Sequence, residues 1–102
     1  MTDITLDKEF FDIVDTFVHL VNEHGQKVGG ERAGFALTFA AARYSAFLVA
    51  SNSADLDKMK TFRQEAKSHF MTNYEKALES NFSEYEENYE KYIQKDRNPE
   101  QS

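Results

Sequence analysis

A chain of 102 residues, 40% hydrophobic and 29% charged, has the make-up of one soluble globular domain and leaves no room for a second. It has no cysteine, which excludes a disulfide, a thiolate metal site and a cysteine nucleophile and suits a reducing cytosol. A net charge of -6 opposes unassisted binding to nucleic acid, whose affinity rests on neutralising phosphates.

The first segment, "MTDITLDKEF", is acidic, with neither a basic leader nor an apolar run, so no signal peptide is expected. Leu6, Phe10, Ile13, Val14, Phe17, Leu20 and Val21 then recur at helical spacing, with Asp12, Asp15, Thr16, His19 and Glu23 on the opposite side. Thr5 or Asp7 caps this helix, and "HGQKVGGERAG" ends it, with Gly25 as the terminating glycine. A second helix covers roughly Glu31 to Ser51. At about 100° per residue it has almost no polar arc. Ala33, Leu37, Ala40, Tyr44, Phe47 and Leu48 form one wide apolar face, and Ala42, Ala46 and Ala50 form a smooth second ridge. A helix that is apolar nearly all round is usually buried. Two neighbouring helices cover too little of it, so a fourth element or a second chain is expected there. The longest apolar stretch nonetheless reads as far short of a membrane span.

The next start signal is "SNSADLDK", with Asn52 or Ser53 as the cap. From it, Leu56, Met59, Phe62, Ala66, Phe70, Tyr74, Ala77 and Leu78 form a stripe. Ser83 followed by Glu86 matches a capping box, which marks a candidate break near Ser80 to Ser83. Phe82, Tyr85, Tyr89, Tyr92 and Ile93 define a short final helix with a rotated stripe. The expectation is therefore all-α: a small three- to four-helix bundle with a nearly all-apolar central second helix. Residues 1–95 make one helical domain, and 96–102 form a frayed tail.

Little in the spacing points to chemistry. "GQKVGGER" lacks the GKS or GKT end of a phosphate loop and follows a helix where a strand is required. Asp12, Asp15, His19 and Glu23 share one side of the first helix, and Glu65 and His69 sit one turn apart on the third. Helical metal sites need such ligands to project inward from facing helices, so no metal and no cofactor is expected. Lys60, Arg63 and Lys67 make a small basic stripe that reads as a solvated face. No nucleophile with an activating base is recognisable, which favours a non-enzymatic protein. Tyr85, Tyr89 and Tyr92 offer rigid apolar area with polar tips, and so make a candidate docking surface as well as an ordinary covering helix.

Arg43 is the one charge inside "TFAAARYSAFLVAS". A buried arginine needs its donors satisfied, and Asp15 on the first helix is a reasonable partner. Binding of an anionic group is the competing reading, with Tyr44 and His69 as neighbours of such a pocket. "FAAARYSAFLVAS", with "FVHLVN" before it and "NYEKALESNFSEY" after it, resembles a small bacterial family of uncharacterised all-helical proteins that share an Ala-Ala-Ala-Arg-aromatic-x-Ala-Phe core. The resemblance spans roughly Phe10 to Tyr89. It implies a short cytoplasmic helical protein and brings no catalytic residues. The expected function is a protein-interaction module, self-associating through Ala42, Ala46 and Ala50 or through Tyr85, Tyr89 and Tyr92. The alternative is a small-ligand or metal-binding helical protein with a pocket near Arg43 and His69. Nucleic-acid and membrane partners are not expected.

Overall fold

The computed structural model describes residues 4–94, and these form helices without a strand among them. The order is α1 (Lys8–Val28), α2 (Gly30–Asn52), α3 (Leu56–Glu87) and a terminal π-helical turn, Glu90–Gln94. The all-α class read from the periodicity holds. The proposed tail, 96–102, lies outside the described residues. The chain divides into two units, Met1–Leu48 and Val49–Ser102.

The first unit is a helical hairpin. Asp7 is the cap of α1, its carboxylate accepting from the Phe10 N–H at 3.0 Å. Lys8 pairs with Asp12 at 2.8 Å one turn on, and Thr16 donates to the Asp12 carbonyl. α1 does not stop at Gly25, as the glycine density had indicated; it continues to Val28. The reversal falls on one residue, Gly29, whose φ of 95° is open to glycine and closed to side chains with a β-carbon. Its N–H donates to the Gly25 carbonyl at 2.8 Å, while its own carbonyl accepts from Ala33 at 3.1 Å and opens α2. So tight a connection forces the two helices together. A β-carbon on Gly25 would lie 3.5 Å from the Gly30 Cα and 3.9 Å from the Ala33 Cβ. Ala33, 5% exposed, is the buried residue of this contact.

α2 is apolar nearly all round, as its composition indicates, yet apart from Ala33 its side chains are half-buried or exposed. It also corrects the expectation about membrane spans. Its 23 residues are long and apolar enough, by length and composition, to cross a membrane. Counting uninterrupted apolar runs hid this. Thr38 donates its hydroxyl back to the Gly34 carbonyl at 3.2 Å, so it interrupts the run without leaving a polar group unpaired.

In the second unit the cap of α3 is Asp55 rather than Asn52 or Ser53. Its carboxylate accepts from the Lys58 N–H at 2.8 Å. Ser53 is engaged behind it, its hydroxyl donating to the Val49 carbonyl at 2.7 Å. Asp57 in the first turn suits the positive helix end. The candidate break near Ser80 to Ser83 does not occur. α3 runs through it unbroken, with the Asn81 amide donating to the Ala77 carbonyl at 2.8 Å. The regular helix ends instead at Asn88, whose N–H and side-chain amide both donate to the Glu84 carbonyl at 3.1 Å. Met59, Ala66 and Phe70 are half-buried along α3, while Leu56, Met71, Tyr74 and Phe82 stay exposed.

Candidate functional site

Beyond the pinch at Gly25, the two helices of the first unit enclose a groove of about 1010 Å³. From α1 it takes Phe17, Leu20, Val21, His24 and Val28; from α2 it takes Arg32, Ala33, Ala36, Leu37, Ala40, Ala41, Tyr44 and Ser45. The apolar stripes read from the sequence supply much of this lining. The polar groups that reach it are His24, Arg32, Tyr44 and Ser45. The Tyr44 ring lies 5.9 Å from Phe47 and is well exposed.

Arg43 does not line the groove. It is exposed, and its guanidinium carbon lies 5.3 Å from the centroid of the Phe39 ring, one turn earlier. Among the described residues the ion pairs are Lys8–Asp12 and His19–Glu23, so Arg43 and Asp15 are not joined. At about 100° per residue Arg43 falls at the edge of the groove side of α2, between the directions of Ala36 and Arg32, and outside the lining. On the side of α2 turned away from the groove, Phe35 is 72% exposed and Phe39 56%, next to the exposed Ala42, Ala46 and Ala50.

In the second unit His69 is exposed. A ring nitrogen lies 3.0 Å from the Asn73 side-chain nitrogen, one turn along, and the ring meets Phe70 edge-on. Tyr85 and Tyr92 pack with centroids 5.0 Å apart, and the Tyr92 hydroxyl donates to the Glu84 carboxylate at 2.8 Å. That hydrogen bond, helped by the carboxylate's charge, holds the Tyr92 pKa above the ordinary 10.0. Tyr89 is about half exposed. No three His, Asp or Glu side chains converge as metal ligands among the described residues; on α1, His19 and Glu23 sit 3.2 Å apart on an exposed face.

One family model, described as a protein of unknown function (DUF3144), matches residues 10–86, well over half the chain. The chain belongs to the DUF3144 family. That match takes in the groove, the "FAAARYSAFLVAS" stretch and nearly all of α3, which agrees with the resemblance read from those residues. Neither the curated proteins nor the solved structures include a match to this DUF3144 chain. The features that sequence reasoning missed in it are the His24 and Arg32 positions in the groove and the exposed outer side of α2. Both depend on where the hairpin turns, and Gly29 sets that.

Proposed function

We propose that this DUF3144 protein is a non-enzymatic interaction module that works by self-association, with the apolar sides of α2 as its principal contact. The supporting observation is the exposure of Phe35, Phe39, Tyr44 and Phe47 on α2 and of Phe17 on α1, between 56% and 72% in each case. At ~200 Å² per aromatic side chain these five leave roughly 600 Å² uncovered in all, against the ~800 Å² that a standard interface takes from each partner. That area is divided between two sides of the hairpin, Phe17 and Tyr44 along the groove and Phe35 and Phe39 on the opposite side of α2, so each side offers part of a contact. Arg43 favours a protein partner over lipid. It stands near the middle of α2, where a cation costs about 2.5–3.5 kcal/mol in a bilayer, while a second chain can offer it a carboxylate or carbonyl.

The test is the solution mass across a dilution series, by light scattering coupled to size exclusion, for the wild-type chain and for Phe35→Glu/Phe39→Glu. The wild type is expected to run as a multiple of 11.8 kDa and the variant to fall towards 11.8 kDa with its helicity retained. A strict wild-type monomer overturns the reading. The groove favours a second reading, an apolar small ligand seated between Phe17 and Tyr44 with Arg32 and His24 as polar contacts. A monomer that gains melting temperature with an amphiphile supports it, and one that floats with lipid vesicles points to the membrane instead.

A further inference from the structure

The groove of the first unit differs at its two ends. Its closed end lies at the Gly29 reversal, where His24 and Val28 of α1 meet Arg32 of α2 in the lining. At 1.5 Å per residue the far end, at Tyr44, lies about 18 Å further along α2. Between the two, α2 contributes short side chains, Ala33, Ala36, Ala40 and Ala41, and these leave the space that Phe17 and Leu20 of α1 flank.

Among the described residues no carboxylate lines the groove, and Arg32 is the fixed charge in it. The Arg32 side chain makes no ion pair or hydrogen bond among the described residues. Three and four residues on, where a helix supplies a partner, stand Phe35 and Ala36. The acids close in sequence are placed elsewhere: Glu23 meets His19 at 3.2 Å, and Glu31 lies outside the lining. His24 has Lys27 one turn on and no acid within a turn on its own side of α1. In a chain of net charge -6, the closed end is thus a cationic corner of a largely apolar channel.

We propose that the groove binds a single-chain alkyl carboxylate of medium length, with its head at Arg32 and His24 and its tail running towards Phe17 and Tyr44. This rests on the small-ligand reading of the groove and specifies the class and direction of that ligand. A guanidinium meets a carboxylate with two parallel N–H···O bonds, and His24 adds a donor through whichever ring nitrogen carries its proton. Arg32 and His24 are both exposed, so the head stays at the rim within reach of water while the tail leaves it. A run of about 18 Å takes an alkyl chain of roughly a dozen carbons, and 1010 Å³ is ample for one. One fixed cation in the lining suits a singly charged head. The occupied groove leaves the Phe35 and Phe39 side of α2 to a second chain.

The experiment is isothermal titration calorimetry of the full chain with octanoate, decanoate and dodecanoate, each below its micelle concentration. Affinity is expected to rise roughly four- to fifteenfold for each two methylenes, the lower figure for a tail half out of water. Arg32→Gln is expected to weaken decanoate roughly five- to tenfold and to leave decanol unchanged. Arg43→Gln, outside the lining, leaves both unchanged, and Ala40→Phe, which fills the groove, weakens both with helicity retained. Equal losses in Arg32→Gln and Arg43→Gln overturn the assigned head position. If decanol and decyltrimethylammonium bind as tightly as decanoate, the groove ligand stands and its carboxylate head is wrong. Absence of saturable binding by all three removes the groove reading as well, and binding to phosphatidylglycerol vesicles without binding to decanoate assigns the surface to a bilayer instead. Solution mass on the same samples keeps self-association separate: a monomer that binds decanoate through Arg32 supports this site and removes that reading.

Discussion

The hairpin of the first unit makes a sharp prediction, because of three glycines close together in sequence one alone has a backbone that requires glycine. Gly29 has φ 95° and ψ 146°, a region entered almost only by glycine. A β-carbon built there meets nothing within 4 Å, so the penalty for Gly29→Ala is conformational and not steric. Strain of this kind costs about 1–3 kcal/mol, and the stiffer unfolded chain returns about 0.4–1 kcal/mol. The net loss is about 1–2 kcal/mol, a fall of roughly 5–15 °C in Tm for a chain of this size. Gly30→Ala also meets open space but lies in ordinary helical backbone, so it is expected to stabilise by up to about 1 kcal/mol. Gly25→Ala brings its β-carbon to 3.5 Å from the Gly30 Cα, which is ordinary contact, and the same gain is expected. Far-UV circular dichroism melts at one fixed protein concentration read all three, since association makes Tm concentration-dependent. If Gly29→Ala melts with or above the wild type, or if all three substitutions lower Tm alike, the one-residue reversal is not what holds α1 against α2.

Two further predictions concern single side chains. Arg43→Met keeps an apolar stem and removes an exposed cation–π contact, so the unfolding free energy from urea titration should fall by no more than about 1 kcal/mol; a loss several times larger means that the guanidinium is satisfied by a carboxylate of another chain. Tyr92 should ionise above 10.0 in a spectrophotometric titration corrected by Tyr92→Phe, and Glu84→Gln should bring it back down. Because the folded chain holds this proton to higher pH than the unfolded chain, the contribution to stability is complete below the unfolded value near 10.0. It is lost as pH rises from there through the folded value. A Tyr92 that titrates at or below 10.0 removes the Glu84 contact.

The helices themselves were legible in the sequence, because apolar residues at three- and four-residue steps depend only on local geometry. Asp7 was legible as a cap for the same reason: an acidic side chain just ahead of a periodic run can reach the first free N–H groups. The ends were harder. Gly25, Gly29, Gly30 and Gly34 are all suited to ending a helix, and spacing does not reveal which one takes the positive φ; only Gly29 does. Asn52, Ser53 and Asp55 compete similarly. Ser53 is drawn back to the Val49 carbonyl, and that leaves Asp55 to cap α3. Ser83 and Glu86 match a capping box that the structure does not use, since a serine caps only where the backbone ahead of it is extended, and here the helix passes straight through.

What periodicity cannot report is what stands opposite a face, and Arg43 shows the consequence. The structure places its guanidinium over the Phe39 ring, one turn earlier. Pairing it with Asp15 required a further assumption, that α1 reaches the Arg43 side of α2. One helix occludes one side of another. In the first unit α1 is the sole neighbour of α2, and it is committed to the side of Ala33, Leu37, Ala40 and Tyr44. The side bearing Phe35, Phe39, Ala42 and Ala46 therefore stays exposed within that unit, although its composition suits burial as well as the first does. A helix that is apolar on two opposed sides needs two covering surfaces, and its own hairpin supplies one. On the self-association proposed above, Arg43 at the edge of that side is where the covering surface would bring an acceptor as well as apolar area.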